Sequence, residues 1–284
     1  MTANSTICGA QGWWNRLVGE GKAIDTNTYN VIAFNIPGNG YDGFFIENRE
    51  DFVPRDIADM FVLGLKSLGI DHIYASIGGS IGGILTWEIA VGYPEFVDVI
   101  IPIATDWKAT DWILANTFVQ ELILKNSSEP LHDARVHAMN LYRTPQSYKE
   151  KFQRSIHEKK NMFNVESWLL HHGQHVEERF TLSAYKMVNQ LVRTNDLTRA
   201  RGTFEEVVKG VKAKILLVAI DSDMFFVPSE NIDTFERLKS LGKNVDYREV
   251  KSQHGHDGFL IEFEQLEEIL KPVFSYENKY FSEE

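Results

Sequence analysis

Cysteine is almost missing from this chain. Cys8 stands alone, so no intrachain disulfide can form and a reducing compartment is the natural setting. Long apolar runs are missing as well: no stretch approaches the ~20 residues that a membrane-spanning helix requires. Residues 1–6 carry neither the basic nor the apolar region of a signal peptide. Positive charge is scarce, with 29 lysines and arginines against 40 aspartates and glutamates and a net charge of −11. That balance argues against nucleic acid or an anionic membrane surface as the main partner. Internal repeats and low-complexity tracts are absent. The expectation is a soluble, cytoplasmic protein. Its 284 residues suffice for one large α/β domain with an insertion or for two small domains. A hydrophobic share of 43% is that of a chain able to bury a core, so disorder is not expected.

What is present is an alternation of apolar runs and helical periods. Val31, Ile32, Ala33 and Phe34 open an unbroken run to Ile36 that reads as a strand buried on both faces, closed by a turn at residues 37–40. Pro54 starts a helix whose buried stripe is Ile57, Met60, Phe61, Gly64, Leu65 and Leu68. Residues 72–75 read as a strand, 84–90 as a helix and 97–104 as another buried strand. This β-α-β-α-β order predicts parallel strands with right-handed crossovers. From 107 to 210 strand-like runs disappear, and helical periods cover 112–125, 131–142, 147–157, 165–171 and 180–192. The α/β pattern resumes with a strand over 214–220, a helix over 229–241 capped by Ser229, a strand over 245–250 and a last helix over 258–270. The division that follows is a core of residues 1–106 and 211–284 with a helical lid insertion over 107–210.

Between the strand at 72–75 and the helix at 84–90 stands Gly78-Gly79-Ser80-Ile81-Gly82-Gly83. It fits the G-x-S-x-G nucleophile elbow, in which a strand reverses so sharply into a helix that the serine is strained and its neighbours must lack a Cβ. The bend lifts the Ser80 hydroxyl toward the free N–H groups of a helix N-terminus, which favour a developing anion. A serine hydroxyl needs a base, and in elbow folds the acid and then the histidine follow the serine in the chain. Asp221 and Asp223 follow the strand at 214–220, and His254 and His256 follow the strand at 245–250. Asp223, further beyond its strand, has the longer reach, and Asp221 suits a turn-fixing role. Neither histidine stands out by spacing. The cluster His171, His172 and His175 contains no glutamate in the H-E-x-x-H pattern and reads as a solvated helix end, so no metal is expected. His132, His137 and His157 read as surface or lid residues.

With these residues in hand, the chain resembles the homoserine O-acetyltransferase family of the α/β-hydrolase superfamily. The likeness rests on Gly12-Trp13-Trp14, on Gly19-x-Gly21-Lys22-Ala23-Ile24-Asp25-Thr26, on the Ser80 elbow, on Ser222-Asp223-Met224-Phe225 and, most specifically, on Gly255-His256-Asp257-Gly258-Phe259-Leu260. The resemblance implies an α/β-hydrolase fold, a mostly parallel sheet with helices on both faces and a helical lid, and a triad of Ser80, Asp223 and His256. It implies acetyl transfer from acetyl-CoA, a co-substrate and not a bound cofactor, to the hydroxyl of homoserine through an acyl-serine, a methionine-biosynthesis reaction. The N–H of Ile81 and one from the Met1-Thr2 region would meet the oxyanion. Arg135 and Tyr142, seven apart on a lid helix, and Asp257 would hold homoserine, and members pair as homodimers through the lid.

Two departures stand against the family pattern. Residues 36–44 replace a glycine-rich segment ending in Gly-Ser-Thr-Gly-Pro. Residues 1–4 align with the inside of the family's oxyanion loop, so the usual N-terminal strands are not in this chain and its start is expected to be internal to the natural protein. The same triad also suits an esterase or thioesterase using water, or an inactive homologue. Acetyl or succinyl as the acyl group, and homoserine or serine as the acceptor, stay open at the level of sequence.

Overall fold

The structure, a computed structural model, describes residues 12–40 and 43–275. Its centre is a four-stranded parallel sheet of β3 (Ile73–Gly79), β4 (Val97–Ile103), β7 (Lys214–Ile220) and β8 (Val245–Val250), in that spatial order. The outer faces are apolar because the strands are. Val99, Ile101, Ile103, Leu216, Val218 and Ile220 pack on one side against Leu266, Leu270 and Val273 of α10 (Phe263–Phe274). Ile100, Ile215 and Leu217 pack on the other against α1 (Pro54–Ser67), α2 (Ile81–Gly92) and α8 (Phe204–Lys209). This two-residue alternation inside continuous apolar runs is what a sheet covered by helices on both faces requires. The fold is the α/β-hydrolase fold.

Between β4 and β7 lie α3 (Asp111–Asn126), α4 (Pro130–Tyr142), α5 (Pro145–Phe152), α6 (Asn164–Glu177) and α7 (Leu182–Arg193). Thr110, Thr144 and Thr181 cap α3, α5 and α7 by accepting the third backbone N–H of each helix. Ile113, Leu141, Met187 and Leu191 from these helices meet Ile81 and Ile84 of α2 in a shared core. The helical segment therefore sits over the start of α2, where the elbow lies. A short hairpin of β5 (Ile156–His157) and β6 (Met162–Phe163) interrupts the helices, so the helix expected to reach His157 ends at Phe152. Gln153 and Arg154 turn the chain there with positive φ.

Three further expectations need correction. Residues 31–36 form no strand: Val31 and Ile32 are 37% and 44% exposed. A strand needs a hydrogen-bonded neighbour, and a groove of about 490 Å³ separates this segment from β3. Phe34 instead stacks on Phe61 of α1, with ring centroids 4.8 Å apart. The helix expected from Ser229 is α9 (Pro228–Ser240), entered through Val227 with proline in its first turn and no side-chain cap. The last helix begins at Phe263, because residues Gly255–Leu260 make a tight 3-10 turn that carries His256. A parallel pair of two-residue strands, β1 (Val18–Gly19) and β2 (Ile24–Asp25), orders the segment after Trp14. Trp14 itself is buried and donates its indole N–H to the Phe259 carbonyl.

The chain leaves the sheet for the helices at Asp106, which is 6% exposed. Its carboxylate accepts from the Trp107 N–H, and Asn195 returns to donate to its carbonyl. Burial, resisted by the Trp107 N–H and aided by Glu230, pushes this carboxyl up to about 7. An acid raised in the folded state binds its proton more tightly there than in the unfolded chain. Its contribution to stability is complete below the ordinary value of 3.8 and is lost as pH rises through about 7. Asp106→Asn keeps the hydrogen bond and removes the buried charge. It is expected to stabilise the protein at pH 8 by on the order of 4 kcal/mol and to change nothing at pH 4. Thermal melts of both proteins across pH 4–8 check this, and parallel curves would refute it.

Candidate active site

Ser80 occupies the turn from β3 into α2 with φ 55° and ψ −121°, a strained geometry for a residue with a side chain. Its N–H donates to the Ile103 carbonyl on β4 at 2.8 Å, which pins the bend to the sheet. A Cβ on Gly78 would lie 2.3 Å from the backbone of Gly82, and one on Gly83 would lie 2.4 Å from the Thr105 methyl. Gly82 itself has open space where a Cβ would be. The crowding expected at every glycine of the motif therefore applies at Gly78, at Gly83 and at Gly79, where a Cβ would lie 2.5 Å from the Phe259 ring, but not at Gly82.

Asp223 follows β7 and is 3% exposed. Its Oδ1 accepts the Phe225 and Phe226 N–H groups at 2.7 and 3.0 Å, while Oδ2 lies 2.7 Å from His256 Nδ1. A carboxylate there fixes the imidazole with its proton on Nδ1. The lone pair of Nε2 then faces the Ser80 hydroxyl at 3.0 Å. The rings of Tyr142, Phe225, Phe226 and Phe259 surround the imidazole, each centroid within 6 Å of it, so little water reaches the pair. The structure thus brings together Ser80, Asp223 and His256, which are spread over the whole chain.

The alternatives have other work. Asp221 accepts the Ser252 N–H at 2.9 Å and ties the loop after β8 to the end of β7. His254 Nδ1 accepts from Arg143 at 3.2 Å and lies 3.0 Å from the Ser147 hydroxyl. Ile81 is the first residue of α2, so its N–H has no carbonyl one turn back. Met1, the second oxyanion donor expected, lies outside the described residues.

A cavity of about 120 Å³ opens beside Ser80 and Ile81. Arg135 and Tyr142 both line it, because seven residues are two turns and α4 presents them on one face. The Arg135 guanidinium lies 5.5 Å from the Tyr142 ring centre, and its buried Nε has no hydrogen-bond partner. Burial pushes the Tyr142 phenol up, so it stays a neutral donor. Burial, with Arg135 beside it, pushes His172 down to about 4, so its ring is neutral near pH 7. Asp257 does not line the cavity; Arg143 holds its Oδ2 at 2.8 Å.

Residues that sequence reading missed are Asn116, Gln120, Tyr185, Asn189 and Arg179, which complete the cavity wall, and Arg143. Asn116 and Gln120 follow helical spacing on α3 and Tyr185 and Asn189 on α7, while Arg143 and Arg179 lie just past the ends of α4 and α6; spacing does not say which helices face each other. His171 and His175 stack edge to face at 4.3 Å on the exposed side of α6. Among the described residues, a different group, Glu129, His132 and Asp133, comes close enough to share an ion, yet Asp133 already pairs with Ser127 and His132.

The profile of the alpha/beta hydrolase fold family matches residues 6–263. The homoserine O-acetyltransferase of Chloroherpeton thalassium is 33% identical over 284 residues, covering 91% of this chain and 74% of that protein. The homoserine O-acetyltransferase of Moorella thermoacetica is 30% identical, covering 96% of this chain and 83% of that one. Among solved structures, the homoserine O-acetyltransferase of Staphylococcus aureus superposes with a TM-score of 0.82 at 24% identity, covering 100% of this chain and 84% of its own. An acetylester hydrolase from Corynebacterium glutamicum gives 0.79 at 20% identity, with 93% and 82% covered. At these identities the structural likeness speaks for the fold alone.

Proposed function

Because the chain belongs to the homoserine O-acetyltransferase family of α/β-hydrolases, we propose that it is an acyltransferase moving an acetyl group from acetyl-CoA to the hydroxyl of homoserine, as in methionine biosynthesis. The observation that carries this reading is the unbroken relay from Asp223 Oδ2 through the His256 ring to Ser80 Oγ, with contacts of 2.7 and 3.0 Å.

His256 Nε2 takes the Ser80 proton as Oγ attacks the thioester carbon, and Asp223 stabilises the imidazolium that forms. The Ile81 N–H meets the oxyanion; one such donor lowers the barrier by about 3 kcal/mol. The carbon–sulfur bond breaks, and CoA leaves with the proton that His256 returns. The homoserine hydroxyl then gives its proton to His256 and attacks acetyl-Ser80, whose oxygen recovers that proton as the ester product departs. Arg135 pairs with the acceptor carboxylate and the neutral Tyr142 hydroxyl donates to it. The cavity has a volume of about 120 Å³, well above what a single water needs, and offers the acceptor a place beside Ser80. The helices over residues 107–210 act as a lid that keeps water from the acyl-serine.

The test is the mass of the Ser80 peptide after brief exposure to acetyl-CoA. The expected result is a gain of one acetyl group, removed on adding homoserine together with homoserine-dependent thiol release. No acetyl on Ser80 defeats the mechanism. Thiol release that ignores homoserine assigns water as the acceptor and makes the protein a hydrolase.

The same reading carries a cytoplasmic location and a homodimer through the helical segment. Leu114, Phe118 and Leu122 recur every fourth residue along α3 and are 38%, 52% and 42% exposed, an apolar stripe suited to a partner. Phe118→Asp is expected to halve the mass seen by sedimentation equilibrium. A parent protein that sediments as a monomer excludes the dimer.

A further inference from the structure

Asp223 is held by a peptide unit that a residue of α3 also grips. Trp112 is the second residue of α3, in the turn that Thr110 caps. Its indole N–H donates to the Met224 carbonyl at 2.7 Å, across 112 positions of chain. That carbonyl belongs to the same peptide unit as the Phe225 N–H, which donates to Asp223 Oδ1 at 2.7 Å. A peptide unit is a rigid plane, so its oxygen and its hydrogen cannot be aimed separately. Fixing the Met224 oxygen on the indole fixes the direction of the Phe225 N–H and, with it, the turn of the carboxylate. The other carboxylate oxygen, Oδ2, is the one 2.7 Å from His256 Nδ1. The relay that ends on Ser80 thus starts on α3.

Bulk packing does not account for this contact. Trp112 is 46% exposed, so its ring gains little from burial. The turn is seated without it, because the next residue, Ile113, is fully buried and shares a core with Ile81, Phe225 and Phe226. What the indole adds is direction. A water in its place would also donate to the Met224 carbonyl, but free to swing, whereas the indole N–H is tethered to a capped helix. Hydrogen bonds at the two ends of one peptide also polarise each other, so losing one weakens the second. The Trp112 carbonyl in turn accepts from the Asn116 amide at 2.8 Å, and Asn116 lines the cavity beside Ser80. One turn of α3 therefore touches both the cavity wall and the support of Asp223.

We propose that Trp112 is a positioning residue: through the Met224–Phe225 peptide it aims Asp223, and so makes seating of the lid and alignment of the triad a single event. This deepens the acyltransferase reading and rests on it for the nucleophilic role of Ser80, but not for the acyl donor or the acceptor.

The test uses an alkyl fluorophosphonate on the full chain. Ser80 Oγ attacks phosphorus as His256 takes the serine proton, an O–P bond forms, the P–F bond breaks and fluoride leaves. The mass of the Ser80 peptide reports this step without acetyl-CoA or homoserine. Trp112→Phe keeps an aromatic ring and removes the N–H. It is expected to lower the saturating rate of labelling by about tenfold, with the half-saturating concentration unchanged. Trp112→His does the reverse: its Nε2–H stands where the indole N–H was, and the benzo ring is gone. It is expected to label within about threefold of the parent. A role in packing alone predicts the opposite order. The far-downfield NMR signal of the His256 Nδ1 proton, a mark of its short contact with Asp223, is expected to move in Trp112→Phe and to hold in Trp112→His. A Trp112→Phe protein that labels as fast as the parent, equal losses in both variants, a loss confined to the half-saturating concentration, or a parent whose Ser80 is not labelled overturns the proposal. A parent that is labelled but takes no acetyl from acetyl-CoA defeats the acyltransferase reading alone, since the variants still rank by their N–H.

Discussion

Asp223→Asn is expected to lower kcat/KM for the proposed acetyl transfer by about 10⁴-fold while the protein melts within a few degrees of the parent. Asparagine can keep Oδ1 where it now accepts the Phe225 and Phe226 N–H groups, so the turn after β7 survives. Its Nδ2 then points a donor at His256 Nδ1, which must respond as an acceptor. The imidazole proton moves to Nε2, the atom 3.0 Å from the Ser80 hydroxyl. A protonated neutral Nε2 cannot take the serine proton. The rate of Ser80 acetylation, read by mass in single turnover, is the measurement. A loss smaller than tenfold would mean that Asp223 orients nothing the reaction uses.

The second large effect is conformational. Gly78→Ala is expected to cost more than ~4 kcal/mol, enough to leave little folded protein, because the new Cβ would sit 2.3 Å from a backbone carbon of Gly82. No side chain can yield to relieve it. Gly82→Ala makes the opposite case. Space is open there, the residue lies in the first turn of α2, and alanine is favoured over glycine in a helix by about 0.5–1 kcal/mol. The pair of variants, compared by urea denaturation, separates steric need from mere motif membership. Equal tolerance at the two positions would refute the close-approach argument.

The sequence made the Ser80 turn legible because a strand-to-helix reversal leaves a dense local signature of glycines. Asp223 and His256 were readable less directly: their strands could be found by hydrophobic runs and reach favoured Asp223 over Asp221, but choosing His256 over His254 took a family likeness. The structure supplies the physical reason for the choice, since Asp221 is engaged by the Ser252 N–H and His254 by Arg143. Residues 31–36 misled because apolar composition reports burial tendency, whereas a ladder requires a partner that no local pattern can name. Arg143 was overlooked for a related cause. One cation beside a tyrosine looks like any helix-end base until the fold carries Asp257, 114 positions further on, to within 2.8 Å of it.

Among the described residues β3 has a single neighbour, β4, and its other flank looks into the groove beside residues 28–36. Every second peptide of the strand is therefore turned away from the ladder. The serine hangs from the end of that strand, and among the described residues its alignment rests on the ladder to β4, to which its own N–H adds a bond to the Ile103 carbonyl. Slight loosening of β3 on warming shifts Oγ relative to a histidine held on the far side of the sheet, and a displacement near 1 Å is enough to cost about a hundredfold in rate. Loss of turnover should accordingly run ahead of loss of helix signal on heating, with the barrel of apolar contacts between β4, β7 and the flanking helices still intact when the hydroxyl has drifted out of line.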